Sequence, residues 1–192
     1  MRQLAHAMGA VALTLAASGA QAAADLNGSI EQQVLELINV QRANHGLAAV
    51  LLDLNLDAAA EAHALDMATT PCFQHESCDG TPTFTRVKAY YTPSTWLGEI
   101  IAAGYTTPAA VVDGWMNSPG HRANILDGNF KVAGVAMAYS SVGSFGSYWV
   151  VDFGGQVTSA TVPASVPEPS AWALMALGLL SVSGAAARAR RG

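Results

Sequence analysis

The reading of this chain turns on Trp115-Met116-Asn117-Ser118-Pro119-Gly120-His121-Arg122-Ala123-Asn124-Ile125-Leu126. A helical pattern enters it from Thr107, breaks at Ser118-Pro119-Gly120, and delivers His121 at the head of a short segment ending near Leu126. His121 is the one side chain in the stretch that titrates near neutral pH. Two other positions are suited to meet it: His75, inside Cys72-Phe73-Gln74-His75-Glu76-Ser77-Cys78, and Glu99, inside Trp96-Leu97-Gly98-Glu99-Ile100. Glu99 is the only charge in an apolar, β-rich run from Trp96 to Ala102, and burying a carboxylate there demands a positive or hydrogen-bonding partner.

Outward from that stretch, Thr107 followed by Pro108 predicts a helix start, with Ala109, Val112, Trp115 and Met116 as its buried stripe. Ser29 with Gln32 predicts a capping box for an earlier helix patterned on Ile30, Val34, Leu37, Ile38 and Gln41 and ended by Gly46. A second helix, capped by Asp53 or Asn55, places Leu56, Ala59, Ala60, His63, Ala64 and Met67 on one face, with His63 ranked as a supporting group. Phe84, Val87, Lys88 and Tyr91 allow a short helix between Pro82 and Tyr90. Lys131 to Tyr139 and Ser147 to Phe153 read as strands joined by a turn at Gly143-Ser144-Phe145-Gly146. Helices lead and strands gather later, so the expected class is α+β, a small antiparallel sheet covered by helices.

The two ends are compositionally foreign to the middle. Residues 1–24 carry Arg2, an apolar run and the small-residue series Ala20-Gln21-Ala22-Ala23-Ala24, the pattern of a cleaved secretory signal. Residues 25–155 are the expected domain, and 156–166, mostly Thr, Ser, Ala, Val and Pro, an extended linker. Residues 167–192 begin Pro167-Glu168-Pro169-Ser170, continue with 17 uncharged residues, and end on Arg188, Arg190 and Arg191. As a helix that run would reach roughly 26 Å, the short edge of a bilayer span, with the arginines kept cytoplasmic. Without Arg2 and those three arginines, five basic residues face 14 acids, a net of about −9. Such a body repels phosphate backbones and anionic lipid, so nucleic acid is excluded as a partner. Outside the cytoplasm Cys72 and Cys78 would pair, a small loop worth roughly 2 to 3 kcal/mol. The bridge either clamps the loop carrying His75 or is a staple unrelated to any site.

Taken together, the cysteine loop around His75, Gly98-Glu99-Ile100, the stretch from Trp115 to Leu126 and the closing Tyr148-Trp149-Val150-Val151-Asp152-Phe153-Gly154 resemble the bacterial branch of the CAP superfamily over about residues 30 to 155. That superfamily unites cysteine-rich secretory proteins, antigen 5 and the plant group 1 pathogenesis-related proteins. The resemblance implies a three-layer αβα sandwich with a central cleft, lined in much of the family by two histidines and two glutamates that in some members hold zinc or another divalent ion. His75, Glu99 and His121 fall on three of those positions. The fourth falls on Asn117 or Ser118, neither of them a carboxylate. Val166-Pro167-Glu168-Pro169 with its apolar run and arginines resembles a PEP-CTERM sorting signal, which implies an exosortase-type processing enzyme as partner and a protein at the cell surface or outside it, anchored transiently or permanently.

Two imidazoles and one carboxylate suffice for a zinc site with a fourth position left to water. Spacing alone carries no metal signature here, since the three residues lie 24 and 22 positions apart. The competing reading is a polar network in which Glu99 accepts hydrogen bonds from both histidines and holds the cleft walls together. Nucleophiles are poor: Ser118 has no Gly-x-Ser-x-Gly elbow, and oxidised cysteines offer no thiolate. The expectation is an exported binding module for a divalent ion, a small ligand or extracellular polysaccharide. A metal-dependent hydrolase and a structural matrix component are the alternatives.

Overall fold

The computed structural model describes residues 29–93 and 95–162. The expected signal (1–24), the last part of the linker (163–166) and the sorting segment with its apolar run (167–192) lie outside the described residues. Among those described, no helix is long and apolar enough to cross a membrane.

Helix α1 (Ile30–Asn44) starts where Ser29 accepts from the Gln32 amide at 3.2 Å and ends before Gly46, whose φ of +73° suits glycine. The Gln32 side chain turns to Glu36 instead of back to Ser29, so the capping box is half formed. After the two-residue β1 (Leu51–Leu52), Asp53 caps α2 (Leu54–Thr69) by accepting from the Asn55 and Leu56 amides. The face expected on α2 is the buried one, His63 included. Helix α3 (Thr83–Tyr90), strand β2 (Leu97–Ala103), helix α4 (Pro108–Asn117) capped by Thr107, helix α5 (Pro119–Ile125) and the hairpin β3 (Val132–Tyr139) and β4 (Ser147–Gly154) follow in order.

The sheet runs β1-β3-β4-β2. Its three long strands are antiparallel, as expected, and β1 adds a short parallel edge on β3 that makes the sheet mixed. Strand alternation divides the side chains between two layers. Ile100, Ala102, Trp149, Val151 and Phe153 face α1, α4 and α5. Ile101, Ala136, Tyr148 and Val150 face α2, and α3 packs beside α2. The result is the αβα sandwich.

Two close approaches fix the layers. A Cβ on Gly134 would lie 2.0 Å from the Asp57 amide nitrogen, so α2 rests directly on β3 there. A Cβ on Gly98 would lie 2.6 Å from both Asn124 Oδ1 and the Phe130 ring, so α5 rests on β2. Arg42, 1% exposed, reaches across from α1 and donates to the carbonyls of Ala48, Ile125, Asp127 and Phe130, pinning the end of α5. The first residues of the expected linker are tied to the domain. Tyr91 Oη bonds Gln156, the Thr158 and Thr161 hydroxyls donate to Asp53, and the Val162 amide donates to the Leu52 carbonyl.

Candidate functional site

The site forms at β2, an edge strand, where groups from both helical layers can meet around an open border. Glu99 is the hub. It lies on the α2 face of β2 with its side chain 1% exposed, and both of its oxygens are engaged. Oε1 accepts from His75 Nδ1 at 2.8 Å, and Oε2 pairs with an Arg86 Nη2 from α3. The buried charge therefore has the cationic partner that its sequence setting demanded.

His75 is delivered by a loop fastened on several sides. Cys72 and Cys78 are disulfide-bonded, with Cα atoms 5.9 Å apart. Asp66 on α2 accepts from the Cys78 amide at 2.7 Å, and His63 Nε2 meets the Gln74 carbonyl at 3.0 Å. Arg86 donates to the His75 carbonyl at 3.0 Å and to Ser77 Oγ at 3.3 Å. Of the two readings of the bridge, the geometry favours the clamp. Because Nδ1 faces a carboxylate, it carries the proton, which leaves Nε2 for a ligand. The hydrogen bond to Glu99 raises the His75 pKa above the ordinary 6.5, against the opposing effect of burial.

His121 follows the Pro119-Gly120 turn into α5 and is half-buried. Its pKa is lowered, by burial first and then by the charge of His75. Among the described residues its ring has no hydrogen-bond partner, whereas that of His75 is held by Glu99. Asn117 is exposed at the last residue of α4, and Ser118 links α4 to α5 through backbone bonds. Neither side chain hydrogen-bonds to His75, Glu99 or His121, so the expected fourth position supplies no hydrogen bond to the cluster.

Two contributors were not singled out from sequence. Arg86 looks like any polar residue of a short amphipathic helix, and its partner Glu99 lies 13 positions on in another element. Asp152, directly opposite Glu99 in the β2–β4 register, is fully buried. Burial, then the Glu99 charge, push its carboxyl well above the ordinary range. The signal for it was present, an acid inside an apolar strand, the same one that exposed Glu99. His63 is buried beneath this group, and burial lowers its pKa.

As a three-ligand metal centre these residues do not fit. Glu99 has no oxygen free, its charge is already met by a guanidinium, and no group of three His, Cys, Asp or Glu among the described residues converges in a way that holds an ion. Glu99 orients His75 instead of acting as a ligand itself, and only the two imidazoles remain.

Comparison with known proteins agrees with the fold. A family model described as the cysteine-rich secretory protein family matches residues 35–153, and one described as the PEP-CTERM protein-sorting motif matches residues 165–191. The chain is 38% identical to YkwD, an uncharacterized protein of Bacillus subtilis (strain 168), over 66% of its length, and 35% identical to YlbC, an uncharacterized membrane protein of the same strain, over 56%. It spans 47% and 31% of those relatives, respectively. Among solved structures, an extracellular protein containing an SCP domain from Bacillus anthracis is 28% identical with a TM-score of 0.58, covering 66% of this chain and 40% of that one. An outer surface protein from Borrelia burgdorferi shares the fold at 22% identity and a TM-score of 0.58, covering 65% of this chain and 90% of that one.

Proposed function

This chain belongs to the cysteine-rich secretory protein family, and from that premise we propose that it is an exported, non-catalytic binding module whose His75 and His121 receive a small polar ligand. One observation carries the reading: both Glu99 oxygens are committed within the protein, to His75 and Arg86. Glu99 is thus a positioning residue, and the groups left facing a ligand are the His75 Nε2 edge and the His121 ring. Export is supported by the sorting motif at residues 165–191 and by the extracellular description of a similar structure. An exosortase-type enzyme would process that motif. The ligand is a small molecule or a terminal group of an extracellular polysaccharide that accepts from one imidazole and donates to the other.

The opposed shifts of His75 and His121 favour a second reading, since one imidazole raised and one lowered from 6.5 suit the acid and base roles of a hydrolase. A hydrolase would also need a nucleophile, and Ser118 makes no hydrogen bond to His121 among the described residues. Zinc titration and a general peptidase assay on the full chain and its His121→Ala variant separate the readings. Binding without metal dependence and without hydrolysis is expected. Hydrolysis lost in His121→Ala would overturn the binding module, and stoichiometric zinc resistant to competition by a weak chelator would overturn the commitment of Glu99.

A further inference from the structure

At the sheet edge opposite β2, a groove of about 920 Å³ opens between α1, β1 and the start of α2. Its floor is apolar, formed by Leu35, Val50, Leu52, Val135 and Met137. Glu31, Glu36, Asp57 and Glu61 border it, and among the described residues no Lys, Arg or His lines it. β1 covers only Val132 and Ala133, so from Gly134 to Tyr139 the outer edge of β3 has no strand partner among the described residues. The Val135 amide on that edge is met by Asp57 Oδ1 at 3.1 Å. By strand alternation, Met137 presents the next outward N–H and C=O. Glu31 and Glu61 both raise the Asp57 pKa, after burial and against the Val135 hydrogen bond, so these carboxylates crowd one another with no cation between them among the described residues.

We propose that this groove docks an extended, lysine- or arginine-bearing segment of another protein, which adds to β3 as a strand. An open edge is a template for pairing, and its hydrogen bonds supply affinity while alternate side chains supply specificity. Apolar residues of the segment face the floor, and its cations meet Glu31 and Glu61. The chain's own flanks do not suit the groove, although Ser29 and Val162 line it. Asp25-Leu26-Asn27-Gly28 brings an acid and no cation. Pro163-Ala164-Ser165-Val166-Pro167-Glu168-Pro169 brings another acid and three prolines, which have no N–H for a ladder. The residues adjoining the groove therefore suit it less than a cationic segment of a second molecule does, and the chain's own cationic tail (Arg188, Arg190 and Arg191) is the rival occupant.

The test measures binding of a short fluorescent peptide of alternating lysine and valine to the full chain. Saturable binding is expected, weakened roughly fivefold or more by Glu31→Gln with Glu61→Gln. N-methylation of the peptide's inward-facing amides, which leaves the protein untouched, should weaken it roughly tenfold. The glutamate-for-lysine peptide should not bind. Equal affinity for methylated and unmethylated peptides would rule out strand addition, and no saturable binding would end the proposal. Binding only after Arg188→Gln, Arg190→Gln and Arg191→Gln would assign the groove to the chain's own tail and overturn docking from a second molecule.

Discussion

Glu99 converts an unfavourable burial into a fastening, and its neighbours record this in their titration. His75 is raised above 6.5 in the folded state, so its pairing stabilises fully below that pH and the contribution fades as pH climbs through the folded value. His63 and His121 are lowered, so their contribution is present above 6.5 and is lost as pH falls through their folded values. In Glu99→Gln the His75 pKa should drop toward 6.5 in an NMR titration while His121 rises slightly, because His75 is then less often charged beside it. An unchanged His75 would contradict the ion pair. Asp152 gives the opposite case for an acid. Its raised pKa means the folded state loses stability as pH rises from the ordinary carboxylate range through the folded value. Asp152→Asn should therefore flatten that part of the denaturation profile. An unchanged profile would show that Asp152 does not titrate there.

Among the elements, the cysteine loop and α5 hold the two imidazoles by different means. Removing the bridge with Cys72→Ser and Cys78→Ser should lower unfolding stability by roughly 2 to 3 kcal/mol and move the His75 pKa toward its ordinary value as the loop loosens. Calorimetry with histidine NMR on one sample would show both effects, and a stability loss without the pKa change would mean that Arg86 and His63 hold the loop unaided. Gly98→Ala forces α5 away from β2, an overpacking worth roughly 1 to 3 kcal/mol. Chemical shifts should then move at His121 more than at His75. Much of this level was legible in sequence, because period and caps are local: Asp53, Thr107, the α2 face and the β3–β4 hairpin fall where propensity and patterning put them. The grip of Arg86 on Glu99 was not, since long-range partners leave no trace in spacing. The fastening of residues 156–162 was hidden for the same reason, in that Thr, Ser and Gln look like linker until a buried Asp53 and Tyr91 provide their partners.

For the whole molecule, Arg42 joins what sequence order keeps apart, binding four carbonyls between the end of α1 and the start of β3. Arg42→Ala leaves these acceptors unsatisfied in the interior and should cost roughly 3 kcal/mol or more in urea denaturation. A smaller loss would mean that water replaces the guanidinium. Gly134, Asp152 and Glu99 lie in one line across β3, β4 and β2. Sliding β2 by one residue would swap Glu99 with a neighbour and drive its carboxylate under α5, toward the Phe130 ring and away from Arg86. The line works as an alignment key. A sheet rich in alanine and valine has little else to distinguish neighbouring registers, and this polar notch penalises each wrong one before the two helical coats can close over it.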